Sequence, residues 1–166
     1  MSKYNVIIPN DIANGEGVCT SFWVQGCPHH CKGCFNPETW DFDGGALYTE
    51  HTKWEIIEAI GANGLQRNFS ILGGEPLAPP NLSMTEEVVC AVRAAYPKIK
   101  IFLWTGYSFE ELAALNESLF KILDCVDVII DGQFVEEEKD LSLRLRGSRN
   151  QRIWVKEKGV WKVEND

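Results

Sequence analysis

One short loop constrains this chain more than any other stretch: Gly26-Cys27-Pro28-His29-His30-Cys31-Lys32-Gly33-Cys34-Phe35, which follows the apolar run Cys19 to Val24. Thiolates spaced C-x3-C-x2-C can all turn inward from one loop, and Gly26, Pro28 and Gly33 supply the tight turns that such wrapping needs. The pattern is a metal-binding one. Three thiolates fill only three positions of a tetrahedral zinc site or of a four-iron cluster, so the fourth partner decides the chemistry. Spacing alone leaves two readings open at even odds: a Cys3His zinc knot with His29 or His30 as fourth ligand, or an iron-sulfur cluster. A disulfide framework fits less well. The chain is larger than disulfide-stapled scaffolds, and it opens Met1-Ser2-Lys3-Tyr4 with no long apolar stretch to serve as a secretion signal.

The 166 residues suit one domain over 1–166, large enough to bury a core without staples. The composition, 45% hydrophobic and 11% aromatic, is globular, and a formal charge of -8 argues against nucleic acid as a partner. No stretch is long and apolar enough to cross a bilayer, so the expectation is a cytoplasmic protein with no membrane partner. Its six cysteines then read as ligands or unpaired thiols. Cys19, Cys90 and Cys125 are expected to be structural, as small hydrophobes.

Strand and helix patterns alternate along the chain. Val6-Ile7-Ile8 is a short apolar piece, and Cys19 to Val24 is predicted to be a strand feeding into the cysteine loop. Thr52-x-x-Glu55 reads as a capping box for a helix with Trp54, Ile57 and Ile60 inward, followed by a strand over Phe69 to Leu72. Ser83-x-x-Glu86 opens a second helix with Val88, Val89 and Val92 inward, which Pro97 stops before a strand over Ile99 to Trp104. Ser108-x-x-Glu111 starts a third helical stretch with Leu112 and Leu115, extended by Leu119, Ile122 and Leu123 beyond a break at Asn116. Val126 to Ile130 is a fully apolar strand. Arg152 to Val155 and Val160 to Val163 then alternate around Lys156-Glu157-Lys158-Gly159 as a terminal hairpin. Such alternation implies an α/β fold, a parallel sheet with helices on its outer face and a ligand beyond the carboxyl ends of the strands. Cys27 to Cys34, Gly73-Gly74-Glu75, Thr105-Gly106 and Asp131-Gly132 each follow one of the four parallel strands.

Taken in order, Asn14-Gly15-Glu16-Gly17, Cys19-Thr20, Val24 through Cys34, and Asn36 with Thr39-Trp40 resemble the activating proteins of anaerobic ribonucleoside-triphosphate reductases, within the radical S-adenosylmethionine superfamily. Gly73-Gly74-Glu75-Pro76-Leu77, Trp104-Thr105-Gly106-Tyr107, Val128 through Phe134, and Arg146-Gly147-Ser148 with Asn150-Gln151 fall in that family's order. The resemblance runs to about residue 152 and moves the reading of the cysteine loop strongly from zinc to iron-sulfur. It implies an abbreviated open partial (β/α) barrel of the radical S-adenosylmethionine type, here with a C-terminal β-hairpin.

The resemblance also implies a mechanism. Cys27, Cys31 and Cys34 hold three irons of a 4Fe-4S cluster, and the fourth iron chelates the amino and carboxylate groups of S-adenosylmethionine. An electron from a donor such as reduced flavodoxin cleaves the sulfonium to methionine and a 5'-deoxyadenosyl radical. That radical abstracts a hydrogen from a glycine of the partner reductase, leaving a glycyl radical, so the chain is expected to be a radical S-adenosylmethionine oxidoreductase. Gly73, Gly74 and Glu75 are expected at the methionyl amino group, and Gly33, Cys34 and Phe35 on the adenine side. Thr105 and Asp131 complete the candidate ligand site. Gly33 stands where the broader superfamily often has an aromatic. Gly74→Val is expected to spare the cluster and weaken ligand binding. Glu136 to Asp140 reads as a solvated acidic face, and Arg144, Arg146, Arg149 and Arg152 as a docking surface or an anchor for the last loop. Two alternatives remain: an activase of another glycyl-radical enzyme such as pyruvate formate-lyase, whose chains are longer, and a non-enzymatic zinc-binding interaction module.

Overall fold

The fold is given by a computed structural model that describes residues 1–114 and 117–165. In chain order the strands are β1 (Lys3–Asp11), β2 (Cys19–Val24), β3 (Ala46–Leu47), β4 (Asn68–Gly73), β5 (Ile101–Trp104), β6 (Val128–Asp131), β7 (Arg152–Glu157) and β8 (Val160–Val163). The helices are α1 (Glu50–Ile60), α2 (Leu82–Ala95), α3 (Phe109–Leu112) and α4 (Glu117–Cys125). The chain is mixed α/β, with one eight-stranded sheet in the order β3-β1-β2-β4-β5-β6-β7-β8. β2, β4, β5 and β6 run parallel, as the alternation predicts. The terminal hairpin β7-β8 extends the sheet antiparallel from β6, and β1 with β3 does the same beyond β2.

The inward sides of the parallel strands explain the layering. Phe22, Val24, Phe69, Ile71, Ile101, Leu103 and Ile129 join Ile56, Ile60, Val88, Val89, Val92, Leu112, Leu119 and Ile122 of the helices in one core. Each fully buried side chain of this size contributes about 1.5–3 kcal/mol. The other face carries a small cluster, Phe102, Val128, Ile130 and Ile153, beside the polar Ser21 and Ser70. Ser21 donates to Asp11 (2.7 Å) and Ser70 to the Asn14 carbonyl (2.6 Å), so the loop after β1 covers this face instead of a helix.

Several local expectations shift. The first helix is capped one turn earlier than predicted: Thr49 is the N-cap, and the Thr52 hydroxyl accepts from its N–H at 3.1 Å. Its inward stripe is therefore Thr52, Ile56 and Ile60, and Trp54 is 53% exposed. α2 starts at Leu82 after a 3-10 turn over Pro79–Asn81, so Ser83 lies within the helix instead of capping it. The Ser108–Glu111 capping box is present, with Glu111 N–H donating to Ser108 Oγ at 3.2 Å and Ser108 N–H to Glu111 Oε2 at 2.8 Å. Leu115 and Asn116 lie outside the described residues. β1 is longer than the apolar Val6-Ile7-Ile8: it runs over Lys3–Asp11, its residues before Asp11 are only half-buried or exposed, and register shifts against β2 interrupt any simple alternation.

Arg67 fastens the end of α1 to the sheet. It is 7% exposed. Its Nη1 donates to the carbonyls of Ala59, Ile60, Ala62 and Leu65 at 3.2, 3.3, 2.9 and 2.9 Å, and its Nε donates to Asn10 Oδ1 at 2.6 Å. Arg67→Met removes these side-chain donors, leaving the Ile60 and Ala62 carbonyls only their backbone N–H partners, and is expected to cost roughly 2–3 kcal/mol in anaerobic denaturant titration.

Candidate functional site

The cysteine loop begins where β2 ends, and backbone contacts fix its course. Gly26 has φ +100°, and a Cβ there would stand 2.1 Å from the Phe42 ring, so only glycine turns the chain at this point. Gly26 N–H donates to the Thr39 carbonyl (2.7 Å) and Cys27 N–H to the Trp40 carbonyl (3.1 Å). The buried Asn81 side chain donates to the carbonyls of Gln25, Gly26 and Glu75 at 3.1, 3.3 and 3.0 Å, tying this turn to the loop after β4.

Cys27, Cys31 and Cys34 line one cavity of about 160 Å³ at the carboxyl ends of the parallel strands. Gly73 lines it at the end of β4, with Gly74 and Glu75 just after, Thr105 and Gly106 after β5, and Gly132, Gln133 and Phe134 after β6. The cysteines do not close on a single point: among the described residues no group of three or more His, Cys, Asp or Glu side chains is arranged to hold one metal ion. Burial pushes the Cys27 thiol up to about 11 and raises that of Cys31, so bare thiolates are disfavoured there. Backbone N–H groups oppose this: those of His29 and His30 act on Cys27, that of Phe134 acts on Cys31, and that of Asn36 donates to Cys34 Sγ at 3.4 Å. Thiolates with N–H donors and a cationic metal centre before them suit an iron-sulfur cluster.

Of the two histidines, His29 lines the same cavity as the cysteines, but both rings are already engaged. His29 Nε2 donates to Glu75 Oε1 at 2.8 Å, and Nδ1 accepts from Gln133 Nε2 at 3.3 Å, a network that selects the Nε2–H tautomer. His30 stacks on Trp40 with ring centroids 4.5 Å apart. A zinc knot completed by either histidine would have to break these contacts.

Glu75 is the hub of the arrangement, 1% exposed. Besides His29, Oε1 accepts from Gly106 N–H (2.6 Å), and Oε2 accepts from Thr105 Oγ1 (2.8 Å) and Leu77 N–H (2.9 Å). One carboxylate thus joins the cysteine loop to the loops after β4 and β5. Its acceptor directions are taken within the chain, so an ammonium ligand would have to displace one of these donors. A second cavity of about 360 Å³ adjoins the first and shares Phe35, Asn36, Leu72, Trp104, Phe134 and Gln151 with it. That volume lies within the range of small-molecule sites, roughly 300–1,000 Å³.

A family model described as a 4Fe-4S single cluster domain matches residues 13–154. Three relatives, each named anaerobic ribonucleoside-triphosphate reductase-activating protein, come from Enterobacteria phage T4, Vibrio cholerae and Escherichia coli. The phage protein is 40% identical over 96% of this chain and 98% of its own length. The Vibrio protein is 39% identical over 91% and 96%, and the Escherichia protein 38% over 90% and 96%. The chain belongs to the anaerobic ribonucleoside-triphosphate reductase-activating protein family.

Within this family member, the ligand-site residues expected from sequence separate into two groups. Cys34, Phe35, Gly73, Gly74, Glu75 and Thr105 meet at the cavity. Phe35 is 54% exposed and packs against Phe134 with ring centroids 5.0 Å apart, under the Lys139 ammonium. Gly33 turns away, with φ +77° and the Glu136 side chain 2.9 Å from where a Cβ would stand. Asp131 is buried and does not line the cavity. Its Oδ2 accepts from Phe109 N–H (2.8 Å) and Arg152 Nη2 (2.6 Å), which clamps α3 to β7. Gln133 and Asn81 were not foreseen, because their roles depend on partners far away in sequence. Within the arginine segment, Arg144 pairs with Glu16 and Glu164, and Arg152 with Glu110 and Asp131. Arg144 thus ties the last loop to Glu16 and Glu164 while its side chain stays 46% exposed. Among the described residues, no helix is long and apolar enough to cross a membrane.

The glycine pair also has a different neighbour from the one expected. A Cβ on Gly74 would stand 2.5 Å from the Gly26 carbonyl oxygen and 3.0 Å from that of Thr39, and one on Gly73 would stand 2.8 Å from Val24 backbone atoms. The close approach that excludes a side chain is to the chain itself, at the root of the cysteine loop. Gly74→Val is therefore expected to lower stability by about 1–3 kcal/mol and to release iron as well as weaken ligand binding. Anaerobic melting with an iron assay checks this. A fully retained cluster and unchanged melting would show that the Gly26 backbone does not require a glycine there.

Proposed function

We propose that this chain, as a single radical S-adenosylmethionine domain over residues 1–166, activates anaerobic ribonucleoside-triphosphate reductase by generating a glycyl radical on it. Its four parallel strands would form an abbreviated open partial (β/α) barrel. The observation that carries the reading is the gathering of Cys27, Cys31, Cys34, Gly74, Glu75 and Thr105 around one cavity at the carboxyl ends of those strands. The cysteines would hold three irons of a 4Fe-4S cluster and leave one for the amino and carboxylate groups of S-adenosylmethionine. When bound, cluster and ligand supply reductive cleavage to methionine and a 5'-deoxyadenosyl radical, which takes a hydrogen atom from a glycine of the reductase; reduced flavodoxin is a fitting electron donor.

The residues of the chain orient and enclose. N–H groups aimed at the sulfurs stabilise thiolate charge, and Glu75 ties the cysteine loop to the loops after β4 and β5. Phe35, Trp104 and Phe134 give the shared wall of the two cavities an apolar surface that excludes water. Activation of a different glycyl-radical enzyme is less well supported, since the three relatives described above are named for the ribonucleotide enzyme. A zinc module is disfavoured by the contacts of His29 and His30.

The test is anaerobic mixing of the protein with the reductase, S-adenosylmethionine and a reductant. A glycyl-radical resonance on the reductase is expected. A reductase left without the signal, beside a protein shown to bind both cluster and ligand, would overturn the proposed partner.

A further inference from the structure

Away from the cavity, a second pair of thiols stands in contact. Cys90 lies on α2 and Cys125 closes α4, with their sulfurs 3.4 Å apart and both residues partly exposed. The surrounding contacts hold the two helices in register. Glu86 and Lys121, each four residues earlier, approach to 3.5 Å. One turn beyond Cys90, Arg93 donates from Nε and Nη2 to the Cys125 carbonyl at 3.1 and 3.0 Å and pairs with Asp127. The dithiol is thus fastened on both sides. Cys19 offers a contrast: it is fully buried, and its thiol donates to the Glu16 carbonyl.

We propose that Cys90 and Cys125 form a thiol–disulfide exchange site whose substrates are small-molecule disulfides. The thiolate of one cysteine attacks the small disulfide, forms a mixed disulfide and releases the first small thiol. The thiolate of the other then attacks the protein sulfur of that mixed disulfide, forms the Cys90–Cys125 bond and expels the second. The protein dithiol is oxidised by two electrons, the small disulfide is reduced to two thiols, and both protons leave with them. Closing the sulfurs from 3.4 Å to about 2.05 Å is within reach of side-chain rotation between helices already held together. Burial pushes the Cys90 thiol up to about 12, so exchange is slow at neutral pH and speeds as pH rises. Cys125 precedes the amino end of β6, whereas the cavity lies at its carboxyl end, so the bridge staples α2 to α4 without entering the cavity.

The experiment uses the full chain prepared anaerobically and incubated with oxidised glutathione at mildly alkaline pH, followed by acid quench, alkylation and peptide mapping. A linked Cys90–Cys125 peptide is expected, reversed by dithiothreitol. The bridged protein should melt higher by roughly 5–10 °C, because a long loop is closed. Cys90→Ser should instead keep a glutathione adduct on Cys125. Should that variant fail to fold, the map of the unsubstituted protein decides alone: recovery of Cys90 and Cys125 as alkylated or singly glutathionylated residues would overturn the site. The map also separates this bridge from any formed among Cys27, Cys31 and Cys34.

Discussion

Cys27→Ala, Cys31→Ala and Cys34→Ala are each expected to leave a folded chain that retains no intact cluster and gives no activation above background. All three residues line the cavity and none is fully buried. Removing one sulfur should therefore cost the fold only about 1 kcal/mol, while it takes away one of three thiolates on which an open-sided cluster depends. Burial reinforces the effect in the Cys34→Ala variant, since it holds the Cys27 thiol up near 11 and raises that of Cys31, which disfavours their thiolates when no metal faces them. Iron content per chain, far-UV circular dichroism and the glycyl-radical yield check the three parts. Cys19→Ala and Cys90→Ala serve as controls that should keep their iron. A cysteine variant that kept full iron and activity would remove that residue from the cluster.

Glu75→Ala is expected to be the most destabilising single change at the site. It strips the partner from His29 Nε2, Thr105 Oγ1 and the N–H groups of Leu77 and Gly106 at once, all within a region where Glu75 itself is 1% exposed. Breaking a buried charged network of this kind costs about 3–5 kcal/mol. Three loops lose their common anchor, so iron retention should fall along with stability. Glu75→Gln keeps the shape but turns an amide N–H toward donors, and it should lie between the two. Anaerobic denaturant titration of both variants gives the order. Stability of Glu75→Ala within 1 kcal/mol of the parent, an amount close to a surface substitution, would show that the four hydrogen bonds contribute little.

The parallel strands were legible because burial on both faces makes each a dense run of apolar and β-branched residues, and Cys19 to Val24 was located to the residue. Ser108–Glu111 and the terminal hairpin were legible for a similar reason: their signals are local. The start of α1 was misread because Thr49-x-x-Thr52 and Thr52-x-x-Glu55 both fit a capping box, and that of α2 because its N-cap, Asn81, carries no capping bond and instead donates to the carbonyls of Gln25, Gly26 and Glu75. At the site, the cysteines and the glycine pair carry their chemistry in residue type and spacing. Glu75 was legible as a cavity residue but not as a hub, since its partners lie 31 and 46 residues away at Gly106 and His29. The reason Gly74 must be small was equally hidden, because it is the backbone of Gly26, from a different strand's loop, that fills the space.

The most direct test of the central claim, that this cavity holds a four-iron cluster with one iron open to S-adenosylmethionine, is Mössbauer spectroscopy of anaerobically prepared, iron-57-enriched protein with and without that ligand. Four irons per chain are expected, one of which changes its isomer shift and quadrupole splitting when S-adenosylmethionine is added while three do not. Stoichiometric zinc without iron, or a cluster whose spectrum is unchanged at saturating ligand, would contradict the account.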